Sequence, residues 1–277
     1  MPSHQGTTPH RQLQFGYSPC PNDTFMFFGI ASGALTLPGC AVAVQLHDIE
    51  TLNRMALSER LDISKLSIFA WLKVREAYRL MRSGAALGYG CGPLLIARRS
   101  LTPAEVIRSR VVLPGEWTTA HLLFRLWAPE AEQRYFTAYH RIYDELTSGR
   151  ADCGVIIHES RFTYDQHGFQ RIIDLGQWWE EQTGLPVPLG CIAARSALGP
   201  DLLQAVDGLL RRSIETARQN PDAALPYIRQ YAQEMDPGVL GSHIATFVNS
   251  FSLDIGATGL KAVDTMEARA RALGVLA

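Results

Sequence analysis

The chain has 277 residues, 47% of them hydrophobic, and a formal net charge of −1. That is ample for a sizeable core, in two domains or one large one. Basic and acidic residues balance and no Lys/Arg-rich run occurs, which speaks against a nucleic-acid partner; no apolar stretch approaches membrane-spanning length, which speaks against a membrane partner.

Met1 to Arg11 is polar and lacks the apolar stretch of a secretory leader, so residues 1–11 are expected to be a flexible extension of a cytoplasmic protein. Gln12 to Tyr17 reads as a strand. The turn Ser18-Pro19-Cys20-Pro21-Asn22 follows, then a helix carrying Phe25, Phe28 and Ile30, capped by Asp23 or Thr24. Val42 to Leu46 is a second strand. Leu52, Met55, Ala56 and Leu61 mark one face of a helix, with Arg54 and Glu59 turned to water. Ile63 to Leu66 is a third strand and Ile68 to Ala77 a helix. This alternation predicts a parallel sheet with right-handed crossovers.

Gly84, Gly88, Gly90 and Gly92 precede an apolar run, Leu94 to Ala97. Their spacing fits neither a dinucleotide fingerprint nor a P-loop, so a hinge between domains is predicted. A second unit follows: strand Arg110 to Leu113, helix Thr119 to Trp127, strand Arg134 to Ala138, helix Tyr143 to Ser148, strand Gly154 to Ile157, and a further strand from Ile172 to Leu175. Leu189 to Ala194 reads as the return crossing. Beyond Pro200 only helical patterns occur, with Pro221 and Pro237 each at a helix start and a last helix from about Thr258 to Leu273. The whole predicts an α/β protein of two lobes with a cleft between them and C-terminal helices. Residues 12–97 plus 195–277 form lobe 1 and 98–194 form lobe 2.

Ligands gather beyond the carboxyl ends of parallel strands, which directs attention to the loops there. Val155 to Ile157 ends in His158, a residue that exchanges protons near neutral pH and is either placed to act as a base or simply hydrogen-bonded at a strand end. Ser18 and Asn22 either offer short polar groups at the cleft rim or simply belong to a tight turn with an Asp cap. Lys65, Leu66 and Ser67 end the third strand; Ser67 either caps the next helix or donates to a carboxylate, and Lys65 faces solvent or substrate. Thr118, Thr119 and Ala120 open a helix whose free N–H groups suit a carboxylate. Trp178 and Trp179 either cover the core or wall a pocket. Pro186-Val187-Pro188 reads as a stiff hinge. Asp152 and Asp174 are candidates to orient His158. The histidines show no metal-ligand spacing. The five cysteines (20, 40, 91, 153, 191) form no CxxC pair, so neither zinc site nor disulfide framework is expected, and Cys153 reads as a buried small residue. No cofactor fingerprint is present.

Several stretches together resemble the 1,4-dihydroxy-6-naphthoate synthases of the futalosine route to menaquinone. They are Ser18-Pro19-Cys20-Pro21-Asn22-Asp23-Thr24-Phe25, Glu50-Thr51-Leu52-Asn53-Arg54, Lys65-Leu66-Ser67, Thr118-Thr119-Ala120, Ile156-Ile157-His158-Glu159-Ser160-Arg161-Phe162-Thr163-Tyr164, Asp174-Leu175-Gly176-Gln177-Trp178-Trp179-Glu180 and Thr183-Gly184-Leu185-Pro186. The resemblance implies a fold like periplasmic binding proteins, with a carboxylate-bearing aromatic substrate in the cleft. It implies a lyase acting on cyclic de-hypoxanthine futalosine without metal or organic cofactor. The family's base falls on His158, and its substrate contacts fall on Lys65-Leu66-Ser67 and Thr119-Ala120, beside Thr118. Two other readings compete: a non-catalytic solute-binding protein, and the chorismate dehydratase of the same pathway. Trp71, Trp127 and the C-terminal helices are candidates for a homodimer interface.

Overall fold

The structure is a computed structural model and describes residues 11–232 and 236–276. The expected extension lies outside the described residues apart from Arg11, which already belongs to a strand. The first unit comprises β1 (Arg11–Tyr17), α1 (Pro21–Ala31), β2 (Cys40–Leu46), α2 (Ile49–Leu57), β3 (Ile63–Ser67), α3 (Ile68–Val74), β4 (Tyr78–Leu80) and β5 (Ala86–Gly88). The second comprises β6 (Leu94–Ala97), α4 (Pro103–Arg108), β7 (Val111–Leu113), α5 (Thr119–Trp127), β8 (Arg134–Phe136), α6 (Ile142–Thr147), β9 (Cys153–Ile156), β10 (Gln170–Asp174) and α7 (Leu175–Thr183). The chain returns through β11 (Val187–Arg195) and ends in α8 (Pro200–Gln219), α9 (Pro221–Tyr231), α10 (Pro237–Phe247), α11 (Ser250–Leu253) and α12 (Gly256–Ala272).

Two sheets result. One has the order β2-β1-β3-β11-β4, with β5 also paired to β11; the other runs β10-β6-β9-β7-β8. In each, the strands joined by helices are parallel: β1 with β2 and β3, and β7 with β8 and β9. The crossing strands break that rule. β11 lies antiparallel to β3, and β6 antiparallel to β9, because each enters from the opposite lobe. This moves both expected lobe boundaries. β6 belongs to the second sheet, not to lobe 1, and β11 belongs to the first sheet, not to lobe 2. An apolar run announces a buried strand but not which sheet it joins. Pro186-Val187-Pro188 is likewise no free hinge, since Val187 and Pro188 pair with Gly88 and Leu87 at the start of β11.

α1 is buried along almost its whole length, from Pro21 to Ile30. A helix apolar on every side must be enclosed. α1 is enclosed by the first sheet, through Phe15, Tyr17 and Phe27, and by α8, α9 and α10, which pack back on it. The expected Asp23 or Thr24 cap is replaced by Cys20 at the N-cap with Pro21 next, which frees the Asp23 side chain for other partners. Trp179 is sealed in the core, its Nε1 donating to Pro186 O at 3.1 Å. Trp71 and Trp127, the interface candidates, rest half-buried against the same core. Cys153 is buried in β9.

Between the lobes two glycines meet. A Cβ on Gly92 would lie 2.2 Å from Gly176 Cα, so the crossing after β5 presses directly on the first turn of α7. Gly92→Ala is expected to destabilise the fold by about 1–3 kcal/mol or more, because backbone rather than a flexible side chain must yield. A denaturant midpoint unchanged from the parent protein would contradict this.

Candidate active site

A cleft opens between the lobes at the carboxyl ends of the parallel strands, the position expected for a ligand. Its wall includes Ser18, Asn22, Asp23, Lys65 and Ser67 from the first lobe, Thr118 to Ala120, His158 and Arg161 from the second, and His243 from α10. Of the predicted site residues, only Leu66 is absent from this wall; its side chain is fully buried in the core. Side chains alternate along a strand, so Lys65 and Ser67 share one face of β3 and Leu66 takes the other.

The floor is an ion pair. Lys65 Nζ lies 2.6 Å from Asp23 Oδ1, with the two side chains 6% and 1% exposed. Ser18 donates to Asp23 Oδ2 from its hydroxyl at 2.7 Å and its N–H at 3.2 Å, and Asn22 Nδ2 donates to Oδ1 at 2.8 Å. Ser18 and Asn22, predicted to hold substrate, thus spend these groups on Asp23. A buried charge pair persists only when its remaining lone pairs are satisfied in this way.

Ser67 stands at the N-cap of α3, but its side chain makes no cap hydrogen bond. Asn53 holds it instead: Nδ2 donates to Ser67 Oγ at 3.0 Å, while Asn53 Oδ1 accepts from Ser67 N at 2.9 Å. The Ser67 hydroxyl hydrogen remains available to the cleft. Thr118 is the N-cap of α5, accepting from His121 N at 3.2 Å and donating to Gly115 O at 3.0 Å. Thr119 Oγ1 donates to Leu189 O at 2.7 Å and accepts from Phe69 N at 3.3 Å. With both hydroxyls committed, what α5 offers is the N–H of Thr119 and of Ala120, its first two amides, which have no intrahelical acceptor. Their partial positive charge suits a carboxylate. Arg161 adds a cation to the wall, held by Gly92 O and by Asp174 Oδ2 at 3.3 Å.

His158 follows β9 after Ile157 and opens a 3₁₀ turn, His158–Phe162. Its φ of 58° is left-handed, a costly conformation for a side-chain-bearing residue and one that turns the ring away from the strand direction. The ring is half-buried, edge-on to Tyr139 at 4.8 Å and parallel to His243 at 6.4 Å. Burial lowers its pKa from the ordinary histidine value, against the opposing pull of Glu159 and Asp23. The imidazole is therefore neutral, and basic, at neutral pH. Neither Asp152 nor Asp174 orients it. Asp152 pairs with Arg110, and Asp174 caps α7 and pairs with Arg161. The neighbour is Cys20, whose Sγ lies 3.3 Å from Nδ1 and 3.8 Å from Nε2. Burial pushes the Cys20 thiol well above its usual value, so it stays protonated. Cys20 and His243 escape detection in the sequence because they meet His158 only through the fold. Among the described residues no cluster of three or more His, Cys, Asp or Glu could hold a metal ion, and no helix is long and apolar enough to cross a membrane.

Two buried histidines tie stability to pH. Burial pushes His121 down to about 4 and His243 down to about 3. The unfolded chain, with histidines near about 6.5, takes up protons before the native state does. Stability therefore falls as pH drops below about 6.5, by on the order of 2 kcal/mol between pH 6.5 and 5.5 for the pair. Urea midpoints across that range check this; a flat response would contradict it.

The chain matches a family model described as menaquinone biosynthesis over residues 13–272. It is 46% identical over 265 residues to a 1,4-dihydroxy-6-naphthoate synthase of Thermus thermophilus, covering 96% of each chain. It is 40% identical over 270 residues to the enzyme of that name from Streptomyces coelicolor, covering 95% of this chain and 94% of the other. Among solved structures, a protein from Archaeoglobus fulgidus superposes with a TM-score of 0.90 at 29% identity, over 95% of this chain and 98% of that one. An alkanesulfonate-binding protein from Xanthomonas axonopodis superposes at 0.74 with 13% identity, over 98% and 96%, which shows the shared periplasmic-binding-protein-like fold and no more. By these matches the chain belongs to the menaquinone biosynthesis family, alongside the 1,4-dihydroxy-6-naphthoate synthases.

Proposed function

We propose that the chain is a carbon–carbon lyase that converts cyclic de-hypoxanthine futalosine to 1,4-dihydroxy-6-naphthoate, with His158 as general base. One observation carries this reading: a histidine held neutral by burial shares a cleft with the unpaired N–H groups of Thr119 and Ala120. Those amides and the Ser67 hydroxyl receive the substrate carboxylate. His158 removes a proton, the adjacent C–C bond breaks, and the sugar-derived three-carbon fragment leaves. The ring that remains becomes aromatic, which supplies driving force. Closure of the lobes excludes water and aligns the bond. The reading calls for no metal or organic cofactor, and a biosynthetic role fits a cytoplasmic location.

The test is incubation of the purified protein with cyclic de-hypoxanthine futalosine, followed by mass. Appearance of the naphthoate is expected. A ligand returned unchanged would mark a binding protein, and dehydration of chorismate instead would mark the sibling enzyme; either outcome sinks the proposal.

A further inference from the structure

Among the described residues four buried side-chain atoms lack a hydrogen-bond partner, and one of these belongs to a residue of the cleft wall: Nδ1 of His243. Its protonation follows from its neighbours. Asp23 is a carboxylate paired with Lys65, and a carboxylate only accepts. Asn22 therefore turns its NH₂ to Asp23 Oδ1, which aims its amide oxygen at His243. That oxygen also only accepts. At 2.9 Å from it, His243 Nε2 must carry the hydrogen. A neutral imidazole carries one, so Nδ1 keeps a bare lone pair. Burial holds the ring neutral, with His158 and Lys65 acting in the same direction. The ring is also pinned, 4.7 Å from Phe247 and 6.4 Å from His158 between centroids.

We infer that His243 is a specificity-determining acceptor, whose Nδ1 receives a ring hydroxyl of the bound hydroxylated aromatic acid. This rests on the substrate class proposed above. A buried acceptor without a donor is unfavourable, and a ligand hydroxyl supplies what is missing. The cleft's own cations do not fill the role, since Lys65 faces Asp23 and Arg161 faces Gly92 and Asp174. An aromatic acid with no hydroxyl has nothing to give Nδ1. The chain Lys65–Asp23–Asn22–His243 thus turns a buried charge into a fixed tautomer some distance away, and that tautomer sorts ligands.

The test uses ¹⁵N-labelled full-length protein and two probes, 1,4-dihydroxy-6-naphthoate and unsubstituted 2-naphthoate. In the free protein His243 Nε2 is expected to be pyrrole-like and Nδ1 pyridine-like; the reverse overturns the inference. Saturation with the dihydroxy acid is expected to shift Nδ1 toward the hydrogen-bonded range. The unsubstituted acid is expected to bind roughly 10- to 100-fold more weakly and leave Nδ1 in place. His243→Phe, which keeps a flat ring and lacks the acceptor, is expected to erase the preference between the two acids. An unmoved Nδ1 with the dihydroxy acid bound, equal affinities in the parent protein, or no binding of either acid overturns the inference. A shifted Nδ1 in a protein that fails to turn over cyclic de-hypoxanthine futalosine would sink the lyase reading and leave the acceptor standing.

Discussion

His158→Ala and His158→Asn are each expected to lose about 10²–10⁴-fold in kcat while still binding 1,4-dihydroxy-6-naphthoate. The two variants ask different questions. Position 158 sits at φ 58°, where asparagine is tolerated and alanine is not favoured. A loss common to both therefore belongs to the imidazole, whereas a loss confined to alanine belongs to the backbone of the 3₁₀ turn. The pH dependence gives a second handle. Burial lowers the His158 pKa, so kcat/KM is expected to fall on the acid side at a pH below that of a free histidine. Single-turnover rates against pH measure this. Near-parent turnover in both variants would remove His158 from the mechanism and leave the cleft as a binding site.

The ends of the parallel strands were legible because apolar runs stop there and polar residues begin. That reasoning located Ser18, Asn22, Lys65, Ser67, Thr118 to Ala120 and His158, all of which line one cleft. Strand alternation also separates Lys65 and Ser67 from Leu66, although the three adjoin in sequence. What stayed hidden are the contacts that give these residues their chemistry. Asn22 and His243 are 221 positions apart, Cys20 and His158 are 138 apart, and Asp23 and Lys65 are 42 apart. Nothing in the local pattern of His243 distinguishes it from a core histidine in α10. Asp152 and Asp174, the candidates to orient His158, are each occupied by an arginine. The sheet membership of β6 and β11 was illegible for a related reason: buried strands of either sheet are continuous apolar runs.

Asp23→Asn is expected to cost about 3–5 kcal/mol of folding stability, because it leaves the Lys65 ammonium buried without a counter-charge. Shape is conserved, so the loss reports charge and hydrogen bonding. The Asp23 oxygens accept from Lys65 and Asn22 on one side and from Ser18 twice on the other. An asparagine NH₂ placed on either side faces a donor. Lys65→Met is expected to cost less, since the Ser18 and Asn22 donors remain around the Asp23 carboxylate. The two changes share one interaction and will not add. The double variant is expected to be about 1–3 kcal/mol more stable than Asp23→Asn alone, read from urea denaturation of all four proteins. Simple additivity would show that the pair is not coupled in the folded state. Recovery of stability should not bring back ligand selection. In the double variant nothing compels Asn22 to point its oxygen at His243, so the tautomer loses its anchor. A double variant that is stable yet still prefers the dihydroxy acid would separate the ion pair from the site above it.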